Sequence, residues 1–319
     1  MKYRCAVLDD YQKVAARMAD WTQLADRVDV TFFHDSFSGE EELAEALRDF
    51  GIIVAMRERT PFPASLFAKL PNLRLLVTTG MRNAAIDMEA AKARGVTVCG
   101  TLSSPDPLAE LTWALILGLA RHLAEENAAF RSGGPWQSTV GIDLRGKRMG
   151  IIGLGKIGRK VAPVGLAFGM DVTAWSQNLT REAAAEAGVG CAGSLEELLE
   201  TSDVVTIHLV LSERTRNLIG REQLRRMKPD ALLINTSRAA IVNREALIEA
   251  LENGWIGGAG LDVFDIEPVP ADDPLRRLPN VLCTPHLGYV TEDNYRRFYG
   301  GAVEDIAAYL AGAPIRVLS

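Results

Sequence analysis

The sequence is poor in cysteine and histidine, and it has no clusters of positive charge. Its 319 residues hold four scattered cysteines, Cys5, Cys99, Cys191 and Cys283, and no Cys-x-x-Cys pair. That argues against zinc-ribbon and disulfide-framework architectures. It leaves reduced thiols, a cytoplasmic location and no metal site as the expectation. Lys and Arg form no basic run, the net charge is −6 and the pI is near 5.4. Nucleic acid and anionic membrane surfaces are therefore poor partners. No apolar stretch approaches the roughly 20 residues that cross a bilayer as a helix. The most apolar run, Leu111 to Ala120, is bounded by Glu110 and Arg121 and reads as a buried helix. The N-terminal apolar run is too short for a signal sequence, and Asp9 and Asp10 follow it at once. Hydrophobic residues make up 48% and charged residues 24%, which argues against disorder, collagen and coiled coil for the chain as a whole. The length suggests about two domains.

Short β-branched runs alternate with longer helical patterns. Strands are expected at 4–8, 28–33, 52–55, 73–78 and 96–98, with helices at 10–20 and 40–50 between the first three. Strands separated by helices imply crossover units and a parallel sheet. Pro105-Asp106-Pro107 then punctuates the chain, and one long helix is expected from about 107 to 131, ended by Ser132-Gly133-Gly134-Pro135. A second series begins at Lys147. Its six strands, 148–152, 171–175, 204–209, 231–235, 258–263 and 281–284, imply a doubly wound sheet. A last helix is expected over about 292–311.

The strongest motif is Gly153-Leu154-Gly155-Lys156-Ile157-Gly158. By itself G-x-G-x-x-G is a weak signal. Here it follows an apolar strand, opens a helix, and precedes a second strand ending about 20 residues on, the context a dinucleotide site requires. Gly153 permits the tight turn, Gly155 lets backbone approach a pyrophosphate, and Gly158 allows close helix–strand packing. The helix N-terminus offers N–H groups to phosphate. An acidic residue at the end of the second strand would bind the ribose diol of NAD. Ser176 stands there instead, followed by Gln177 and Asn178. A neutral side chain does not repel a 2′-phosphate, so the reading leans to NADP(H) over NAD(H), with Arg181 a further phosphate contact. A Ser176 hydrogen bond to the NAD diol is the alternative.

Four histidines are available for chemistry: His34, His122, His208 and His286. His34 lies far from the fingerprint, and His122 reads as a surface or capping residue. His208, at a strand end, reads either as a wall of the cofactor crevice or as a core histidine. His286 follows the strand 281–284 and precedes Gly288, which allows a tight turn; it is the best acid/base candidate, because histidine titrates near neutrality. Arg238 lies just past one apolar strand, and Glu267 just past another. Arginine matches a carboxylate in bidentate fashion, and a carboxylate beside histidine orients the ring and favours its charged form. The three thus read as clamp, orienter and proton donor. Further cofactor contacts are expected from Val210, Thr215, Thr236, Ser237, Asp262 and Gly288. Asp262 is expected to face the nicotinamide, with a structural loop cap as its alternative.

These pieces together resemble the D-isomer-specific 2-hydroxyacid dehydrogenases. The resemblance spans nearly the whole chain and rests on Gly153–Gly158, Lys228-Pro229 to Arg238, Asp262-Val263-Phe264 with Glu267-Pro268, and Thr284-Pro285-His286. The order Arg, Glu, His and its spacings of 29 and 19 residues fit. The resemblance implies an α/β fold of two domains. One is a Rossmann-type doubly wound parallel sheet over 105–287. The other is a smaller flavodoxin-like substrate domain from 1–104 and 288–319. It further implies an NAD(P)-dependent oxidoreductase of the glyoxylate/hydroxypyruvate type, with a small 2-oxo or 2-hydroxy acid as substrate. The implied roles are Arg238 on the substrate carboxylate and carbonyl and Glu267–His286 as acid/base pair. A homodimer, held partly by the helix at 107–131, is also implied. Substrate contacts are expected from Arg57, Thr79, Gly80 and Arg82. The loop Gly80-Met81-Arg82-Asn83-Ala84-Ala85-Ile86-Asp87 departs from the family's Gly-x-Gly pattern, with Arg82 at the second glycine. That puts the close backbone approach in doubt. Arg57-Glu58-Arg59-Thr60 looks like the phosphoglycerate dehydrogenase members, so that activity is the alternative, with Arg57, Arg59 and Arg82 on phosphate. The chain stops at Ser319, so no serine feedback through a C-terminal regulatory domain is expected. A cofactor-sensing module with little turnover is the second alternative.

Overall fold

In a computed structural model that describes residues 2–318, the chain forms two compact units. One comprises residues up to Ser104 together with Val290 onward, the other Pro105–Tyr289.

The first unit is built on a five-stranded parallel sheet. Its strands are β1 (Tyr3–Val7), β2 (Val28–Phe32), β3 (Ile52–Ala55), β4 (Leu75–Thr78) and β5 (Thr97–Gly100), in the order β2-β1-β3-β4-β5. That is the flavodoxin-like order, with its switch point between β1 and β3. All four residues of β3 and of β4 are buried, as expected of parallel strands covered on both faces. The helix Glu292–Leu310 returns to this unit. It buries Tyr295, Phe298, Tyr299, Ala302, Val303 and Ile306 at helical spacing.

The second unit carries seven parallel strands. They are β6 (Arg148–Ile152), β7 (Asp171–Trp175), β8 (Gly190–Cys191), β9 (Val204–Ile207), β10 (Leu232–Asn235), β11 (Gly258–Leu261) and β12 (Val281–Cys283). Their order, β12-β11-β10-β9-β6-β7-β8, is the doubly wound arrangement, which reverses between β6 and β9. Gly260 on β11 lets the helix Asp106–Ala120 close on the sheet, because a Cβ there would lie 3.2 Å from Leu115 and Leu119.

Three expectations are corrected. The single helix at 107–131 is two helices, Asp106–Ala120 and Leu123–Ser132. His122 separates them in the left-handed region, φ 50°. The first buries seven residues and the second none, so the break falls where packing against the sheet ends. The helix expected at 10–20 shrinks to Ala15–Met18. Asp10 Oδ1 accepts from the N–H of Val14 and Ala15, and Lys13 turns with φ 57°. The second sheet has seven strands rather than six, since the two-residue β8 is too short to read from periodicity.

Candidate active site

The glycine loop leaves β6 at the reversal point of the second sheet. Gly153 has φ 100°, in the left-handed region that favours glycine, and a Cβ there would meet the His208 carbonyl oxygen at 2.6 Å. A Cβ on Gly158 would collide with the Gly153 carbonyl oxygen. Gly155 differs: nothing lies within 4 Å of where its Cβ would be. The fold does not need glycine at that position, so it keeps a cradle open in front of the helix Gly158–Ala167. No side chain caps that helix's N-terminus, and its first N–H groups lack intrahelical partners. A pyrophosphate fits such a cradle. Lys156 is exposed and Ile157 half-buried beside it. The Gly153 N–H donates to the Trp175 carbonyl, and the His208 N–H to Ile152, so the ends of β6, β7 and β9 are tied together. Ser176 is half-buried just past β7, with Gln177 and Asn178 exposed. Val210 is 74% exposed.

Several expected cofactor contacts have their polar groups committed to the chain itself. Thr215 Oγ1 donates to the Val210 carbonyl and accepts from the Ser212 N–H, folding its own loop. Thr236 Oγ1 pairs with Thr112 Oγ1 at 3.0 Å, and Ser237 Oγ donates to the Ile207 carbonyl at 2.7 Å. The His208 Nε2 lies 2.9 Å from Thr206 Oγ1, and burial pushes the ring down to about 3, so it is neutral.

The three strand-end residues stand as follows. His286 Nδ1–H donates to Glu267 Oε2 at 2.7 Å, while Glu267 Oε1 accepts from the Phe264 N–H at 2.9 Å. Burial pushes the Glu267 carboxyl upward. The hydrogen bond and charge of His286, the Phe264 N–H and the charge of Arg238 outweigh that and hold it below the ordinary glutamate value. Arg238, half-buried past β10, donates from Nη1 to the Ser237 carbonyl at 2.8 Å. His286 itself adopts φ 51°. A non-glycine residue in that region costs on the order of 1 kcal/mol or more and persists where its surroundings hold it.

Asp262 supplies the hold. It is fully buried; Oδ1 accepts from Thr284 Oγ1 at 2.6 Å and from the Leu287 N–H at 2.7 Å, and Oδ2 from the Gly288 N–H at 2.9 Å. Asp262 thus caps the loop, the alternative stated for it. The tight turn expected at Gly288 is made by His286 instead; Gly288 is buried, and a Cβ on it would collide with Leu108 Cδ1 and lie 3.1 Å from Asp262 Oδ2. A cavity of about 430 Å³ lies beside the Phe264–Ile266 turn, and Arg238, Glu267 and His286 do not line it.

In the first unit, Arg57 follows β3 with φ 53°. Its N–H donates to Thr79 Oγ1 at 2.8 Å and its carbonyl accepts from Asn83 Nδ2 at 2.6 Å. Gly80, φ 98°, lies against the Arg57 guanidinium so closely that any side chain there would displace it. Thr79 is fully buried and its hydroxyl accepts from the Arg57 N–H, which shapes that turn. Arg82 is exposed.

The model of the D-isomer specific 2-hydroxyacid dehydrogenase NAD binding domain matches residues 113–288. The chain belongs to the D-isomer-specific 2-hydroxyacid dehydrogenase family. Its relatives include a glyoxylate reductase of Aeropyrum pernix, 40% identical over 77% of this chain and 76% of that one. A hydroxypyruvate reductase of Thermotoga maritima is 33% identical over 96% and 97% of the two chains. The crystal structure of a phosphoglycerate oxidoreductase from Vibrio cholerae O395 superposes with a TM-score of 0.92 at 39% identity, covering 98% of this chain and 100% of that one.

As a member of this family the chain is a nicotinamide-dependent oxidoreductase of hydroxy acids. Two residues near this family's strand ends escaped the sequence reading. Asn83 bridges Arg57 and Thr78, within a loop already noticed for its departure at Arg82. Tyr289 stands against the His286 ring, and its only sequence signal is its place three residues after that histidine.

Proposed function

We propose that the chain catalyses reversible hydride transfer between a nicotinamide cofactor and C2 of a small 2-oxo or 2-hydroxy acid of the glyoxylate/hydroxypyruvate class. The observation that carries the assignment is the 2.7 Å contact between His286 Nδ1 and Glu267 Oε2. It leaves Nε2 of the same ring for the substrate oxygen. A nicotinamide cofactor held by the Gly153–Gly158 loop would supply the hydride that C2 receives. His286, held by Glu267, gives its proton from Nε2 to the carbonyl oxygen, a general-acid step typically worth about 10²–10⁴-fold. Arg238 polarises the carbonyl and anchors the carboxylate. The Gly153–Gly158 loop and the helix it opens would hold the pyrophosphate, with Ser176, Gln177 and Asn178 placed for the adenosine ribose; Ser176 supports a slight preference for NADP(H). Residues 105–287 are the dinucleotide-binding domain. The first-unit residues Arg57, Gly80 and Arg82 read the substrate's acid end.

We assign the chain to the cytoplasm as a homodimer. Support for the dimer comes from the helix Leu123–Ser132, which buries none of its residues, and from Phe130, Trp136 and Val140, which are 70%, 79% and 91% exposed. Among the described residues, no helix is long and apolar enough to cross a membrane.

The test is a nicotinamide absorbance assay pairing NADPH and NADH with glyoxylate, hydroxypyruvate, phosphohydroxypyruvate and pyruvate, run on the native chain and on His286→Ala. Turnover on the unphosphorylated acids, lost in the variant and faster with NADPH, is expected. Preference for the phosphorylated acid would transfer the assignment to the phosphoglycerate type. Near-normal turnover by His286→Ala would overturn the acid/base assignment.

A further inference from the structure

Three residues past the proposed acid, Tyr289 lies beside His286 with ring centroids 5.4 Å apart and planes at 67°. That is an edge-to-face geometry, the favoured one for aromatic rings. Tyr289 is half-buried and closes the same loop that Asp262 pins through the N–H groups of Leu287 and Gly288. The imidazole thus has two restraints of different kinds. Glu267 holds one nitrogen, and a single hydrogen bond leaves the ring free to swing about that contact. The tyrosine ring packs against the imidazole and removes that freedom.

We propose that Tyr289 is a positioning residue for the acid/base histidine: its ring fixes the plane in which His286 keeps Nδ1 on Glu267 and presents Nε2 to the substrate. This rests on the acid/base assignment of His286 made above. The consequence falls on proton delivery: a ring that swings keeps Nε2 aimed at the substrate oxygen for less of the time. The charged groups around the histidine are Glu267 in direct contact, Asp262 at the end of β11, whose carboxyl feels the imidazole charge, and Arg238, which acts on Glu267.

The experiment measures kcat and KM for 2-oxo acid reduction in the full-length enzyme, with Tyr289→Leu, Tyr289→Met and Tyr289→Phe, and with His286→Ala alongside. In the Leu and Met variants kcat should fall by about two- to tenfold, the usual strength of an aromatic pair expressed as a rate. KM should stay close to native. Tyr289→Phe keeps the ring and should keep the native kcat. Two non-aromatic variants guard against one that fails to fold, and a thermal melt identifies such a variant. A native kcat in the folded non-aromatic variants overturns the proposal, and so does an equal loss in Tyr289→Phe or a loss carried by KM alone. If His286→Ala is active, the acid/base assignment fails first; if it is inactive and the Leu and Met variants keep the native kcat, the Tyr289 proposal alone fails.

Discussion

Replacing Glu267 by glutamine keeps the shape of the side chain and removes its charge. The structure gives that change a size and a direction. The carboxylate accepts His286 Nδ1–H at 2.7 Å on one oxygen and the Phe264 N–H at 2.9 Å on the other. A glutamine oxygen can accept from His286 in the same place, so the ring keeps its aim. What goes is the charge that favours the imidazolium. A hydrogen bond to a charged group contributes about 1.5–3 kcal/mol. The two side chains are 24% and 33% exposed, so solvent screening favours the lower end of that range. At about 1.4 kcal/mol for each factor of ten, the general-acid step loses roughly tenfold. The expected result for 2-oxo acid reduction by Glu267→Gln is a kcat/KM about tenfold below that of the native enzyme, with the fall carried by kcat. The assay is kcat and KM at neutral pH with saturating cofactor. Native turnover by the variant, or a loss confined to KM, would refute the reasoning that the charge of Glu267 supports His286 as proton donor.

Three further perturbations read other parts of the molecule. Gly155→Val should weaken cofactor binding at least about tenfold while leaving thermal stability nearly unchanged, because nothing occupies the space its side chain would enter; fluorescence titration and a melt check both halves. Asp262→Ala leaves the Thr284 hydroxyl and the Leu287 and Gly288 N–H groups without their acceptor, which should cost about 3–5 kcal/mol in denaturant unfolding and lower kcat by releasing the His286 turn. Asp305, fully buried, has its carboxyl pushed up by burial to about 6 against the pull of Arg316, from an ordinary 3.8. The folded chain therefore binds that proton more tightly than the unfolded one, so the contribution is present below the ordinary value and is lost as pH rises through the folded one. Asp305→Asn removes the loss, and its stability relative to the native chain should rise by up to about 3 kcal/mol between the acid and neutral ends in paired melts.

Much of the fold was legible because the forces that set it are local. Parallel strands buried on both faces leave continuous apolar runs, and β3, β9 and β10 are such runs. The glycine fingerprint carries its own test, since Gly153 and Gly158 are demanded by packing and Gly155 by nothing within the chain. The Glu267–His286 pair was legible as two strand ends, because neighbouring parallel strands deliver their C-terminal loops to one edge of a sheet. What periodicity could not show was tertiary. The helix break at His122 depends on where packing stops, and β8 exists only through its pairing with β7. Asp262, Thr215, Thr236 and Ser237 are residue types that suit a cofactor, yet each is claimed by a nearby partner within its own unit. A polar residue at a strand end can equally hold the loop that carries the chemistry. Burial separates the two roles, and burial is not written in the motif.

The central claim is direct hydride transfer to C2 with His286 as the proton donor. Its most direct test is a single incubation of the native enzyme with a 2-oxo acid and reduced cofactor carrying deuterium at both positions of the transferring carbon of the nicotinamide. The product hydroxy acid is then analysed by mass spectrometry and proton NMR. The account predicts one deuterium, located at C2, formed by the native chain and not by His286→Ala. A hydroxy acid without label at C2, or equal labelling by the variant, would contradict it.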